Sequence, residues 1–133
     1  MTIQLIKETP KWKLEWEGGG KVLIKTIRGY IKGEEVVELF NTGYEEVRKN
    51  MGNKWMSDNT NLIVYKPEDI EWINTVWLPK MLNIGWKHWA VLEPKLATGN
   101  ISMRSFIGYY QERGINLKIF HDYDEALNWI SSL

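Results

Sequence analysis

The sequence contains no cysteine, and neither sign of charge predominates, since 17 lysine and arginine residues stand against 17 aspartate and glutamate residues. The lack of thiols excludes disulfide bonds, zinc–thiolate sites and a cysteine nucleophile. Because the formal net charge is zero, the chain has no overall field that attracts a polyanion, and nucleic acid is not an expected partner. A chain without cysteine suits a reducing compartment, so we expect a cytoplasmic protein.

Long apolar runs are missing as well. The N-terminal segment includes Gln4, Lys7 and Glu8 and carries no apolar stretch of the length found in signal peptides. No segment approaches the roughly 20 apolar residues that a helix needs to cross a bilayer. We therefore expect no stable membrane insertion.

The chain is rich in tryptophan, with eight residues among 133. Each indole removes a large apolar area from water when buried and needs only one acceptor for its N–H, so most of these side chains are expected in the core. A binding or dimer surface is the alternative for the remainder. A chain of this length fits one domain, which we place at residues 1–133.

A β-hairpin is predicted near the start of the chain. Residues 11–17 alternate apolar and charged side chains, which places Trp12, Leu14 and Trp16 on one face of a strand. Three glycines follow at 18–20, and glycine adopts positive φ without strain. Residues 21–27 are again strand-like, so the two segments form an antiparallel pair.

The rest of the chain alternates between helical and strand patterns. Pro79 lies inside a helical pattern and predicts a kink or a restart at Leu78. Asp122 precedes Glu125 by three residues, which predicts a capping box at the last helix. In chain order the predicted segments are a helix at 34–51, a strand at 61–65, a helix from Pro67, a strand at 88–92, a helix through 103–110 that Asn100 or Ser102 caps and Gly114 ends, a strand at 117–120 and a helix after Asp122.

This order, β-β-α-β-α-β-α-β-α, predicts an α/β fold. Alternating strands and helices form a mostly parallel sheet with right-handed crossovers. We expect four or five strands, an N-terminal hairpin and about four helices. The two histidines, His88 and His121, fall at opposite ends of their strands, so no metal site is predicted, and no pattern indicates a cofactor.

The end of the chain resembles the SpoIIAA-like branch of the STAS superfamily, which consists of small bacterial domains. The close of that branch is similar to the pattern formed here by Phe120, Asp122, Ala126, Trp129 and Ile130. The middle of the chain adds to the resemblance, which covers nearly its whole length, through Trp55 to Asp58, Trp72, Pro79, Gly85 and Ala90. The resemblance implies a single STAS-like domain without catalytic activity, which regulates a protein partner or pairs with a second copy of itself.

The chain departs from that family at one functional position. Antagonists of anti-sigma factors carry an Asp-Ser-Ser-Gly-type turn at a helix start, where a serine is phosphorylated. The corresponding junction here reads Tyr65-Lys66-Pro67-Glu68-Asp69 and offers no serine. Glu68 and Asp69 either imitate a permanently modified state or are ordinary acidic residues of a helix first turn.

Polar side chains are also predicted at the carboxyl ends of the strands, where open parallel sheets bind ligands. His121 beside Asp122 suggests an oriented base, which would make the protein an enzyme. Alternatively, Asp122 caps the helix and the others are solvated loop residues. The residues of this predicted cluster are Tyr65, Lys66, Glu93, Lys95, His121 and Asp122.

A last candidate is an apolar surface around Pro79. Trp77, Met81 and Trp86 belong to a segment with more apolar side chains than one helix face needs. Such a segment suits a groove for a small lipid-like ligand or a second subunit. The alternative is a helix buried on two sides. We thus expect a non-catalytic interaction module first, a carrier of a small apolar ligand second and an enzyme third.

Overall fold

The computed structural model describes residues 2–95 and 106–133, which form one mixed sheet with helices on both faces. The strands are β1 (Ile3–Glu8), β2 (Trp12–Glu17), β3 (Val22–Ile27), β4 (Lys54–Asp58), β5 (His88–Leu92) and β6 (Asn116–Phe120). The helical elements are α1 (Glu34–Lys49), α2 (Pro67–Trp72), a π-helical turn (Ile73–Trp77), α3 (Leu78–Asn83), α4 (106–111) and α5 (Tyr123–Ser131). No helix among these residues is long and apolar enough to cross a membrane.

The six strands lie side by side in the order of the sequence. β1 and β2 pair antiparallel, as do β2 and β3, whereas β3, β4, β5 and β6 are parallel neighbours. The α/β class and the β2–β3 hairpin are confirmed. The expected count of four or five strands is wrong, because β1 adds a sixth at the edge. Its side chains are mostly exposed, so it lacks the alternation of burial by which a strand is recognised.

One strand lies elsewhere than predicted. Residues 61–65 have no regular secondary structure, and β4 comes earlier, at Lys54–Asp58. Polar residues at three of its five positions hide the apolar pattern, although four of the five are buried. Leu62 and Tyr65 of the irregular segment are nevertheless buried. These residues are therefore apolar because they are buried in a loop. The periodicity of a short apolar run does not distinguish such a loop from a strand.

The two faces of the sheet carry different cores. On the front face, α1, α3, α4 and the π-helical turn cover a large cluster that includes Trp55, Trp77 and Trp89. On the rear face, α5 packs on a smaller cluster around Met56 and Ala90. Crossovers between parallel strands are right-handed, and here each strand is followed by its next neighbour in the same direction across the sheet. Such connections place their helices on the same face, so the front layer is larger than the rear layer. Six of the eight tryptophans are buried, which confirms that most belong to the core.

The restart predicted at Leu78 is confirmed, and a π-helical turn produces it. The Leu78 N–H donates to the carbonyl of Ile73, five residues earlier, and α3 then begins with Pro79 in its first turn. Proline lacks an N–H, and its ring collides with the carbonyl of the preceding turn in a regular helix. Widening that turn removes the conflict and turns both Ile73 and Trp77 into the front core.

Two predicted local features are wrong in detail. In the β2–β3 turn the positive φ falls on Lys21 rather than on a glycine. Gly20 is needed for space instead, because a Cβ there would lie 2.8 Å from Ser131 Cα. Asp122 does precede α5 at the N-cap position, but its side chain makes no capping hydrogen bond. The cap positions Asn100 and Ser102 lie outside the described residues, whereas Gly114 has the expected positive φ of 89°.

The approach of α1 to the sheet gives a first prediction. A Cβ on Gly43 would lie 2.4 Å from the Trp55 ring, whereas a Cβ on the exposed Gly108 of α4 meets no heavy atom within 4 Å. We expect Gly43→Ala to lower the free energy of unfolding in urea by about 1–3 kcal/mol through overpacking. The control Gly108→Ala should leave it unchanged or raise it by up to about 1 kcal/mol through helix propensity. Equal effects at both positions would contradict the close contact.

Candidate functional site

A lysine is buried in the middle of the sheet. In β3 the residues Leu23, Lys25 and Ile27 face the front layer, and only 2% of Lys25 is exposed. Its neighbours in register are Leu14 on β2 and Ser57 on β4. Lysines are almost never fully buried unless they are paired, so this position requires a specific explanation.

Lys25 borders a small cavity between the sheet and the front helices. Its volume is about 20 Å³. Because a water needs about 10–15 Å³, the cavity has room for one or two water-sized groups. It is lined by Lys25, Phe40, Trp55, Ser57, Asn59, Tyr65, Ile73, Trp77, Trp89, Phe106 and Tyr110.

The surroundings of the lysine favour its neutral form. Its Nζ donates a hydrogen bond of 3.1 Å to Tyr65 Oη and lies 5.0 Å from the centre of the Phe40 ring. It forms no ion pair with any carboxylate of the described residues. Burial lowers the pKa of Lys25 from its usual 10.5 to about 7, although the charge of Asp58 partly opposes the change. Near neutral pH the amine and the ammonium are therefore both populated.

Two hydroxyl groups in the cavity wall have their acceptor sites occupied. Ser57 Oγ accepts the indole N–H of Trp55 at 3.1 Å and that of Trp89 at 3.0 Å. Tyr65 Oη accepts from Lys25, and burial raises the pKa of Tyr65, so its phenol keeps its proton. A hydroxyl that already accepts still has its own O–H to donate. Among the described residues neither O–H has an acceptor, so both remain available to a ligand.

Two aromatic side chains of the cavity wall are held in place by hydrogen bonds. Trp77 Nε1 donates to the carbonyl of Phe40 at 2.9 Å, and Tyr110 Oη donates to Asn74 Oδ1 at 3.2 Å. The ring centres of Phe40 and Trp77 are 4.8 Å apart in an edge-to-face contact. The π-helical turn thus supplies both a wall residue, Trp77, and the acceptor that orients Tyr110.

Two of the residues proposed from the sequence lie in this cavity, namely Tyr65 and Trp77. Met81 and Trp86 are buried in the front core without lining it, with exposed fractions of 0% and 4%. Within the described residues the apolar side chains around Pro79 form no open groove, because α3 is packed into the core and Trp86 packs on Trp77 with ring centres 5.4 Å apart.

Lys66 and Glu68 lie in a different place. They line a shallow polar depression of about 460 Å³ at the starts of α1 and α2. Asp69 in this depression accepts the N–H of Gly33 with both carboxylate oxygens at 3.1 Å. The acidic side chain thereby ties the start of α1 to α2. Within the described residues no histidine, aspartate or glutamate side chains cluster in a way that suits a metal ion.

The carboxyl ends of β5 and β6 bring together only part of the predicted polar cluster. His121 Nε2 lies 2.9 Å from Glu93 Oε2, while the His121 side chain is 81% exposed. Lys95 is exposed and is held by its backbone N–H, which donates to the Thr60 carbonyl. Asp122 stands at the N-cap of α5. None of these four residues lines the cavity at Lys25.

Sequence reasoning missed Lys25 and Ser57, although a signal for the lysine was present. Lys25 lies two residues from both Leu23 and Ile27 and so must share their face. A strand that is followed by a crossover helix has that face covered. The prediction of a strand at residues 21–27 does not use the direction of this side chain.

Comparison with known proteins finds no match: no family model, no curated protein and no solved structure is similar to this chain. Its own geometry must therefore carry any assignment of function.

The buried lysine gives a second prediction. The native state favours the neutral amine above about pH 7, whereas an unfolded lysine stays protonated up to about pH 10.4. Because the unfolded state then binds more protons, the free energy of unfolding should rise with pH, by at most about 1.4 kcal/mol per pH unit. Other charged or titratable groups interact electrostatically in the same region and can contribute to the pH dependence, namely Asp58, Tyr65, Asp69 and Tyr110.

Comparison with Lys25→Met isolates the lysine from those other groups. Urea denaturation between about pH 7 and 9, below tyrosine ionisation, should show the rise in the parent protein and lose it in Lys25→Met. The control Lys118→Met removes an exposed lysine of β6 and should keep the parent pH dependence. Identical slopes in the parent and Lys25→Met would contradict a neutral lysine in the native state.

Proposed function

We propose that this protein is a binding domain for a small oxygen-bearing molecule that occupies the cavity beside Lys25. The observation that carries the proposal is the convergence of three hydrogen-bond donors, Lys25 Nζ, Ser57 Oγ and Tyr65 Oη, on one aromatic cavity. Buried donors without acceptors are costly, so such a wall favours a ligand that supplies them.

The size and lining of the cavity limit the ligand further. The space suits one or two water-sized groups of a ligand. Carbonyl and carboxylate oxygens accept from the three donors, and a methyl or methylene group packs on the Phe40, Trp77 and Trp89 rings. This retains the expected binding of a small ligand, but it moves the site from the Trp77–Trp86 surface into the core and replaces a lipid-like chain with a compact polar molecule.

Indole N–H signals in nitrogen-15 NMR provide a direct test. Acetamide and acetate, as probes, should shift the Trp55 and Trp89 indole signals saturably, because both indoles donate to Ser57. The Trp86 indole donates to the His88 carbonyl outside the cavity and should move little. Lys25→Met should weaken or abolish the saturable shifts. Probe binding that is unchanged in Lys25→Met, or no saturable shift at all, would contradict the proposal.

A second candidate is the interaction module implied by the STAS-like resemblance, without catalytic turnover. The run of β-α units in sequential order supports a STAS-like arrangement. The observation that favours an interaction is the edge strand β1, where Ile3 and Leu5 are 41% and 52% exposed. α5 packs on β4, β5 and β6, so it does not shield these side chains. An open strand edge with apolar side chains suits pairing with another chain.

Self-association is the form of this second candidate that the purified protein can test. Sedimentation velocity should show a concentration-dependent dimer in the parent protein that Leu5→Glu weakens, because the carboxylate must lose water in the interface. Val76→Glu is the matched control, since Val76 is exposed elsewhere at 43%. A monomer at all concentrations, or equal loss of the dimer in both variants, would exclude pairing through β1.

A further inference from the structure

We infer that Lys25 binds its ligand covalently and reversibly, as an imine with a small aldehyde that enters the cavity. This rests on the proposed ligand site and specifies the class of ligand. The geometry points to it because one side chain provides a buried nitrogen nucleophile while two neighbours, Tyr65 and Ser57, provide donors for a carbonyl oxygen.

The first requirement is a nitrogen lone pair. An ammonium ion cannot attack a carbonyl, whereas a desolvated lysine in an apolar pocket is the form that reacts in Schiff-base enzymes. Lys25 lies among aromatic rings and makes no ion pair within the described part of the chain. Its single hydrogen bond, to Tyr65, uses one N–H and leaves the lone pair of the neutral amine free.

The second requirement is selectivity over the other lysines. An exposed lysine with a pKa near 10.4 has roughly one neutral amine in a few thousand molecules at neutral pH. Burial brings the pKa of Lys25 to about 7, so a large share of its molecules is reactive there. The fraction of neutral amine is therefore about a thousandfold larger at Lys25 than at an exposed lysine. The buried position of Lys25 acts in the opposite direction, because it slows entry of the aldehyde.

The third requirement is stabilisation of the carbonyl oxygen as charge develops on it. Tyr65 and Ser57 each retain an O–H that no described residue accepts. Ser57 is the register neighbour of Lys25 on β4, and Tyr65 is hydrogen-bonded to the amine itself. Donors fixed in place before the reaction stabilise a developing oxyanion better than water does.

The reaction balances without an oxidant or reductant. The Nζ lone pair forms a bond to the aldehyde carbon, and the C=O electron pair moves to oxygen, which takes a proton from a hydroxyl donor. The nitrogen then loses a proton, which restores that hydroxyl and leaves a neutral carbinolamine. A second proton passes from the nitrogen to the carbinolamine hydroxyl, water departs, and a C=N bond forms. Hydrolysis reverses these steps and releases the aldehyde.

The size of the cavity selects among aldehydes. After water departs, the imine of acetaldehyde adds only two non-hydrogen atoms to Lys25, which suits a space for one or two water-sized groups. The imine of benzaldehyde adds seven and does not fit without displacing a wall residue. We therefore expect trapping by acetaldehyde at Lys25 and none by benzaldehyde, although both react with exposed amines.

Reductive trapping tests the inference. The folded protein is treated with acetaldehyde and cyanoborohydride near neutral pH, and peptide mapping follows N-ethylation at each amine. The α-amino group of a chain, with a pKa of about 7.7–8.0, also reacts, and mapping separates it from Lys25. We expect Lys25 to be ethylated at least about tenfold faster than Lys118, and Tyr65→Phe to slow Lys25 about tenfold through loss of the acid.

The outcomes separate this inference from the proposed function. Saturable acetamide binding without faster ethylation of Lys25 would overturn the imine but leave the ligand site intact. Loss of both would overturn both. Benzylation of Lys25 by benzaldehyde at the rate of its ethylation by acetaldehyde, or an unchanged ethylation rate in a folded Tyr65→Phe protein, would also overturn it. Circular dichroism of each variant confirms that the measured protein is folded.

Discussion

Large indole rings fill the space between the sheet and its front helices, and each ring brings an N–H that must find an acceptor in the core. Trp55 and Trp89, side by side on β4 and β5, share Ser57 Oγ. Trp77 uses a backbone carbonyl of α1, which fixes the π-helical turn against that helix. Satisfying these N–H groups explains why a serine stands at a buried strand position. Flat rings that meet edge to face leave gaps between them. The same packing therefore leaves the cavity that Lys25 borders.

Among the buried charged residues of the described structure, Glu17 and Asp69 differ from Lys25, and a fourth, Lys54, donates to the backbone carbonyl of Leu133. Glu17 and Asp69 are acids whose oxygens accept backbone N–H groups, from Gly19 and Gly20 in the first case and from Gly33 in the second. Each carboxylate is thereby compensated, and its role in a turn or a helix start is complete. Lys25 has a phenol as its sole hydrogen-bond partner in the described structure, and a phenol does not neutralise an ammonium. A buried base left in this state either becomes neutral or meets an anion.

The sequence predicted those elements in which local pattern and burial agree. α1 and the 88–92 strand carry clear periodicity or a continuous apolar run, and both lie where expected. β4 was missed because Lys54, Ser57 and Asp58 interrupt its apolar pattern, although only Ser57 of the three lines the cavity. The cavity could not be predicted from the sequence for a related reason. It depends on Lys25, Ser57 and Tyr65 meeting from two strands and a loop, and only the register of β3 with β4 and the path of the irregular segment 61–65 bring them together.

The strand order also explains why the Lys25 cavity and the Glu93–His121 pair are separate sites. The general rule for open α/β sheets would place all of these polar residues at one edge of the sheet. Ligands in open α/β sheets bind at the carboxyl ends of neighbouring strands whose connections leave toward opposite faces. Here α1, the helix that restarts at Leu78, and α4 all join the front layer, and only α5, after β6, joins the rear. Among the described elements this arrangement occurs at β5 and β6, where Glu93 meets His121. The Lys25 cavity arises differently, from the gap that bulky rings leave beneath a single layer of helices, and so its contents are set by packing within the core rather than by loops at the edge of the sheet.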